Sequence, residues 1–131
     1  MERYYSIILC SDELYALNGG FNELCHGIYI QSFDEEIGVP RAQAKILFER
    51  IRSDIKKFRS AVEVGATELR TKMPLEATRV EFCVMRNILL SVQREIDDFE
   101  FEARLGVTKL EVAALAEKLS CFIASLPDQR N

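Results

Sequence analysis

The sequence predicts an all-α protein, two tandem helical-hairpin repeats packed as a four-helix bundle with a pseudo-twofold axis between them. Three observations lead there. Residues 14–58 shifted by 68 positions fall on 82–126 without a gap. Apolar residues recur at spacings of three and four through most of the chain. Each half also carries a Gly-Val pair just before a helix start: Gly38-Val39 and Gly106-Val107.

The repeat sets the architecture before any local reading. Leu14, Leu17, Phe21, Leu24 and Ile28 align with Phe82, Met85, Leu89, Val92 and Ile96. The densest match runs from Phe33 to Ile51 against Phe101 to Leu119. It keeps Phe, Gly, Val, Leu and Glu and exchanges Asp34/Glu102, Ile37/Leu105, Arg41/Lys109 and Arg50/Lys118 conservatively. Repeat one is expected over about residues 3–60, a linker over 61–73, repeat two over 74–126 and a frayed tail over 127–131.

The first helix is written as a heptad: Ile7, Cys10, Leu14, Leu17, Phe21, Leu24 and Ile28. Ser11 and Asp12 offer a later start, after a short strand at Tyr4–Cys10. Tyr4–Cys10 and Arg79–Met85 hold enough aromatic and β-branched residues to form strands. Helix is preferred for both because the three-and-four spacing runs through them, with a two-stranded accessory as the fallback. Gly19-Gly20 predicts a bend, a break or a close approach, since each glycine costs about 1 kcal/mol relative to alanine. Gly27 lies near the helix end, with Ile28–Ser32 irregular or briefly extended.

Phe33 to Pro40 reads as the first connection. Gly38 suits a positive φ and Pro40 suits a first helical turn. The second helix carries Ala44, Leu47, Phe48, Ile51, Ile55, Phe58 and Val62 on its apolar side. Arg41, Lys45, Arg50, Arg52, Lys56, Lys57 and Arg59 form its outer face. Gly65 punctuates, and Lys72-Met73-Pro74 marks the boundary between halves. The third helix is expected from Pro74, capped by Thr71, with Leu75, Thr78, Phe82, Met85, Leu89, Val92 and Ile96 on one stripe. An acidic connection follows. Thr108 with Glu111 then makes a capping box, and the last helix carries Leu110, Val112, Leu115, Leu119, Ile123 and Leu126 before Pro127. Phe33 and Phe101 are expected in the core.

A chain of 131 residues is one domain with room for a single core. It is 48% apolar and 29% charged, an ordinary globular balance. No apolar run approaches the ~20 residues of a membrane span. Met1-Glu2-Arg3-Tyr4-Tyr5 lacks the basic start, apolar core and small-residue cleavage site of a secretory leader, so secretion is not expected. Cys10, Cys25, Cys83 and Cys121 are scattered, and read as reduced thiols of a cytoplasmic protein. A net charge of −4 disfavours nucleic-acid binding, which needs excess Lys and Arg.

Catalytic and metal motifs are missing. His26 is the single histidine, and it follows Cys25. Neighbours on a helix point about 100° apart, so the two make no ready ligand or catalytic pair. Gly19-Gly20 lacks the lysine of a phosphate loop, and there is no HExxH, GxSxG or EF-hand spacing. No cofactor, metal or catalytic residue is expected. The chain is read as non-enzymatic.

Paired acidic segments are the candidate site. Asp34, Glu35 and Glu36 recur approximately as Asp97, Asp98, Glu100 and Glu102 beside the same Phe and Gly-Val markers. They are expected to dock a basic protein, where charge steers association. The concrete reading is a small acidic inhibitor of the immunity or antitoxin kind, resting on size, acidity and helical build. One alternative is a helix-turn-helix-like regulator, from Ile37-Gly38-Val39-Pro40-Arg41 and Leu105-Gly106-Val107-Thr108-Lys109. Asp34 and Glu102 stand against it, where that motif wants a small residue. The other alternative is a scaffold that homodimerises through the apolar stripe left open at Gly19-Gly20.

Overall fold

The computed structural model describes residues 2–26, 29–63 and 72–127. Among these it is mostly helical with one small sheet. The order is β1 (Tyr4–Cys10), α1 (Ser11–His26), α2 (Phe33–Ile37), α3 (Arg41–Glu63), β2 (Lys72–Thr78), α4 (Arg79–Glu95), α5 (Asp98–Leu105) and α6 (Lys109–Ser125).

The strands correct the all-α expectation. Tyr4–Cys10 is a strand and not the first turns of a heptad. The second strand is Lys72–Thr78, while Arg79–Met85 is helical. Pro74 lies inside β2 and does not open a helix. The reason is period: Ile7 and Leu9, and Met73, Leu75 and Ala77, are buried, while Ser6, Ile8, Pro74 and Glu76 between them are exposed. Alternation over seven residues makes one buried face of a strand. Ile7 and Cys10 fit a helical spacing of three, but the buried Leu9 between them fits only the strand period.

β1 and β2 pair antiparallel, with Ile7 opposite Leu75 and Ile8 opposite Pro74. Ile7 and Leu75 are 68 positions apart, so the pairing is centred on residues that the sequence offset aligns. Pro74 has no N–H, so it fits an outward-facing position of the ladder. Two ion pairs close the outer edges, where free peptide groups would invite another strand. Lys118 Nζ donates to Ile8 O at 2.9 Å and meets Glu13 at 3.0 Å. Arg50 donates to Glu76 O at 3.2 Å and meets Glu81 at 2.8 Å. The two sets lie 68 positions apart, residue for residue.

α1 follows β1 directly. Glu13 accepts from the Cys10 N–H at 2.8 Å, and the stripe Leu14, Leu17, Phe21 and Leu24 is buried. α4 starts with a full capping box of Thr78 and Glu81, so the cap is Thr78 and not Thr71, which lies outside the described residues. Gly19-Gly20 neither breaks nor ends α1; it is a point of close approach. A Cβ on Gly19 would sit 2.9 Å from the Leu105 carbonyl oxygen, and one on Gly20 3.2 Å from Leu89 Cδ2.

The expected connections contain helices. α2 and α5 each end on a left-handed glycine, Gly38 at φ 106° and Gly106 at φ 81°. The N–H groups of these glycines donate to Asp34 O and Glu102 O at 2.9 Å, the C-terminal cap that glycine favours. Each half is therefore a strand and three helices, and not a hairpin. α3 buries Ala44, Leu47, Phe48, Ile51 and Ile55, with Phe58 half-buried; the Val62 side chain is outside the described set. α6 has the expected capping box of Thr108 and Glu111. Leu110 departs from expectation: it is 83% exposed, because α6 turns its Val112, Leu115, Leu119 and Ile123 face inward. Gly27, Ile28, Gly65 and Asp128–Asn131 fall outside the described residues.

Phe33 and Phe101 are both buried as expected. Arg41 lies 4.4 Å from the Phe33 ring centroid and Lys109 5.6 Å from that of Phe101. Phe21 stacks on Phe48 with centroids 5.3 Å apart, tying α1 to α3, and Phe82 meets Phe122 edge-on at 5.1 Å, tying α4 to α6.

Two stability outcomes follow from this packing. Phe101→Ala should lower unfolding free energy by about 3–5 kcal/mol in denaturant titration. Gly19→Val should cost about 1–3 kcal/mol, since the side chain meets a backbone oxygen that cannot swing aside.

Candidate functional site

The seven acidic residues fall on two short helices. Asp34, Glu35 and Glu36 lie on α2, which packs on α4. Asp97 caps the start of α5, and Asp98, Glu100 and Glu102 lie on it; α5 packs on α1 and α6. Acids suit these places, since six of the seven are in the first turn of a helix or at its N-cap, where the dipole favours negative charge.

Two of the seven are tied internally. Glu36 accepts hydrogen bonds from the Ser91 hydroxyl and from Arg94. Asp98 meets Lys109 Nζ at 2.6 Å while staying largely exposed. Asp34, Glu35, Asp97 and Glu102 are exposed, and Glu100 is half-buried. Sequence reasoning could not separate these groups, because their partners Ser91 and Arg94 sit more than fifty residues from Glu36.

Phe99 is the residue that sequence reasoning missed. It lies between Asp98 and Glu100 on α5 and is 84% exposed. Its neighbour Phe101 served as the repeat marker and is buried. The signal was present: on an eight-residue helix with Phe101 and Leu105 inward, Phe99 must face elsewhere. The α5 surface is thus an exposed aromatic ring among Asp97, Asp98, Glu100 and Glu102.

Two grooves among the described residues flank the sheet at positions 68 apart. One, of about 490 Å³, includes Cys10, Asp12, Glu111, Ala114 and Lys118. Its counterpart, of about 200 Å³, includes Thr78, Val80, Gln43, Ile46 and Arg50. Ile46 and Val80 narrow the second where Ala114 and Asp12 leave the first wider. A third groove, of about 810 Å³ between α1 and α3, is lined by Asn18, Arg52, Lys56 and Arg59 among others.

Burial pushes the Cys25 thiol up, against the pull of Lys45 and Arg41, which favours the protonated, unreactive form. Among the described residues no three His, Cys, Asp or Glu side chains are placed to hold a metal ion. No helix among them is long and apolar enough to cross a membrane. No protein-family model, curated protein or solved structure matches this chain.

Two carboxylates carry shifts that link folding to pH. The Ser91 hydroxyl and then Arg94 hold Glu36 below its ordinary value. Burial raises Glu13, but the Cys10 N–H and Lys118 outweigh it and leave Glu13 lowered as well. A depressed folded-state pKa stabilises the fold above the unfolded value of about 4.3, and that contribution is lost as pH falls through the folded value. Thermal unfolding followed by circular dichroism should therefore show stability falling below about pH 4.3. Glu36→Gln should be less stable than the wild type at neutral pH and should flatten this acid limb; an unchanged limb would remove Glu36 from the account.

Proposed function

We propose that the chain is a duplicated strand-and-three-helix unit. We propose further that it acts in the cytoplasm as a non-catalytic protein–protein interaction module, a small acidic inhibitor of the immunity or antitoxin kind that masks a basic protein. The duplication is supported by the offset itself. Strand pairing centred on Ile7 and Leu75, the two edge-closing ion pairs and the two Arg/Lys-over-Phe contacts all recur at 68 positions.

One observation carries the interaction reading: Phe99 stands 84% exposed on α5, the helix that also bears Asp98, Glu100 and Glu102 and has Asp97 at its N-cap. Exposed aromatic rings are the side chains that most often anchor protein interfaces, and a charged rim steers encounter without supplying most of the affinity. The position 68 residues earlier is Gln31, so the arrangement does not depend on an aromatic there. In this reading Phe99 enters an apolar pocket of the partner, and Asp97, Glu100 and Glu102 meet basic residues around it. Asp34 and Glu35 extend the acidic field from α2. Glu36 and Asp98 contribute charge while their direct bonds are made at home.

The test is affinity capture from nuclease-treated lysate of the source cell at low and high salt, with mass spectrometry of the eluate. The expected result is one stoichiometric basic protein, released by salt. Phe99→Ala should weaken its binding by at least about thirtyfold, the loss of a 2 kcal/mol anchor. Asp97→Lys with Glu102→Lys should slow association and flatten its salt dependence. Capture unaffected by these variants would reject the α5 surface. Nucleic acid retained in an untreated control and lost with Arg41→Glu would favour the helix-turn-helix reading, and a dimer by light scattering the scaffold.

A further inference from the structure

The cations of α3 divide into two groups by what they touch. Arg41 lies over the Phe33 ring and donates to Leu24 O at 3.2 Å, and Arg50 closes the β2 edge with Glu81. The positions 68 residues on are Lys109 and Lys118, cations doing the same work against Phe101 and Glu13. Lys45, Arg52, Lys56, Lys57 and Arg59 behave differently. Their counterparts are Ala113, Ser120, Ala124, Ser125 and Pro127, none of them charged. α6 packs into the same fold without these charges, so the architecture does not require them.

These five also lack internal compensation. Among the described residues, no carboxylate lies within ion-pair distance of any of them. Like charges one turn apart, as at Arg52 and Lys56, destabilise a helix by a few tenths of a kcal/mol. Three of them, Arg52, Lys56 and Arg59, line the groove of about 810 Å³ between α1 and α3, together with Asn18, Ser53 and Ser60. Arg59 is held there in advance, its guanidinium 4.7 Å from the centroid of the Tyr15 ring on α1. A cation already ordered loses less entropy when it binds an anion.

We infer that this groove is a docking site for an acidic peptide segment of a partner protein. The spacing suits one. Arg52 to Lys56 rises about 6 Å along the helix, at 1.5 Å per residue. Alternate residues on one face of an extended chain are about 6.6 Å apart, so successive carboxylates on that face meet successive cations. Asn18, Ser53 and Ser60 supply hydrogen-bonding partners for the peptide backbone. A nucleic-acid strand fits less well. Single strands bind by stacking bases on open aromatic faces; among the described residues this groove is lined by no aromatic side chain, and the rings its cations touch, Tyr15 and Phe48, already carry Arg59 and Arg52. Glu49 in the lining would oppose a continuous phosphate backbone, whereas a peptide can present an uncharged residue there. This surface is independent of the acidic α5 helix, and either can fail alone.

The test is fluorescence anisotropy at low salt with three labelled probes of equal length: an alternating Glu-Ser peptide, an alternating Lys-Ser peptide and a single-stranded oligonucleotide. The acidic peptide should bind best, with affinity falling as salt rises. Lys56→Glu with Arg59→Glu should weaken it at least about tenfold while circular dichroism stays unchanged, since both side chains are exposed and, among the described residues, make no ion pair. Tighter binding of the oligonucleotide, no binding of the acidic peptide, or unchanged binding by the charge-reversed variant would each overturn the inference.

Discussion

Two seven-residue strands, each with one partner and one buried face, hold the halves of this chain together. Among the described residues neither strand has another neighbour, and an isolated two-stranded ribbon is marginal in water. It persists because Ile7, Leu9, Met73, Leu75 and Ala77 turn one face onto the helices. The pairing also places the starts of α1 and α4, which follow the strands without a loop. Register is strongly specified, since a slip of one residue would turn this apolar set toward solvent.

The same pairing creates a liability at its edges, and the ion pairs Glu13–Lys118 and Glu81–Arg50 answer it. Each glutamate starts its own helix by accepting from the backbone N–H of the preceding strand's last residue, Cys10 or Thr78. Each cation arrives from the last helix of the other half and caps a strand carbonyl. Surface ion pairs contribute little individually. Their value here is geometric, because they occupy outward-facing backbone groups that would otherwise pair with another chain. The close approach at Gly19-Gly20 acts similarly on the helices: with no side chain there, α1 can lie against Leu105 and Leu89.

Once such internal work is assigned, the remaining charge has a clear distribution. α5 bears Phe99 together with Asp98, Glu100 and Glu102, while α3 presents cations that, among the described residues, have no carboxylate partner, Arg59 lying over Tyr15 and Arg52 over Phe48. The molecule is therefore bipolar in its surface chemistry although its net charge is only −4. A partner reading both surfaces would need a basic region with an apolar pocket and a separate acidic segment. Such two-point contact constrains orientation more than either patch does alone.

Much of the local structure was legible in the chain itself. The stripe Leu14 to Leu24, the capping box at Thr108, the αL glycine at 38 and the burial of Phe33 and Phe101 all follow from short-range periodicity and cap chemistry. The strands were misread where two periods overlapped: Ile7 and Cys10 fit a helix as well as Ile7 and Leu9 fit a strand, and only a partner at Leu75 decides between them. Tertiary structure alone determined which charges are consumed. Glu36 and Asp34 look alike in sequence, yet one is engaged by Ser91 and Arg94 and the other faces water. Hydrogen bonds and ion pairs act over a few ångströms between residues many positions apart, and that proximity exists only in the folded chain.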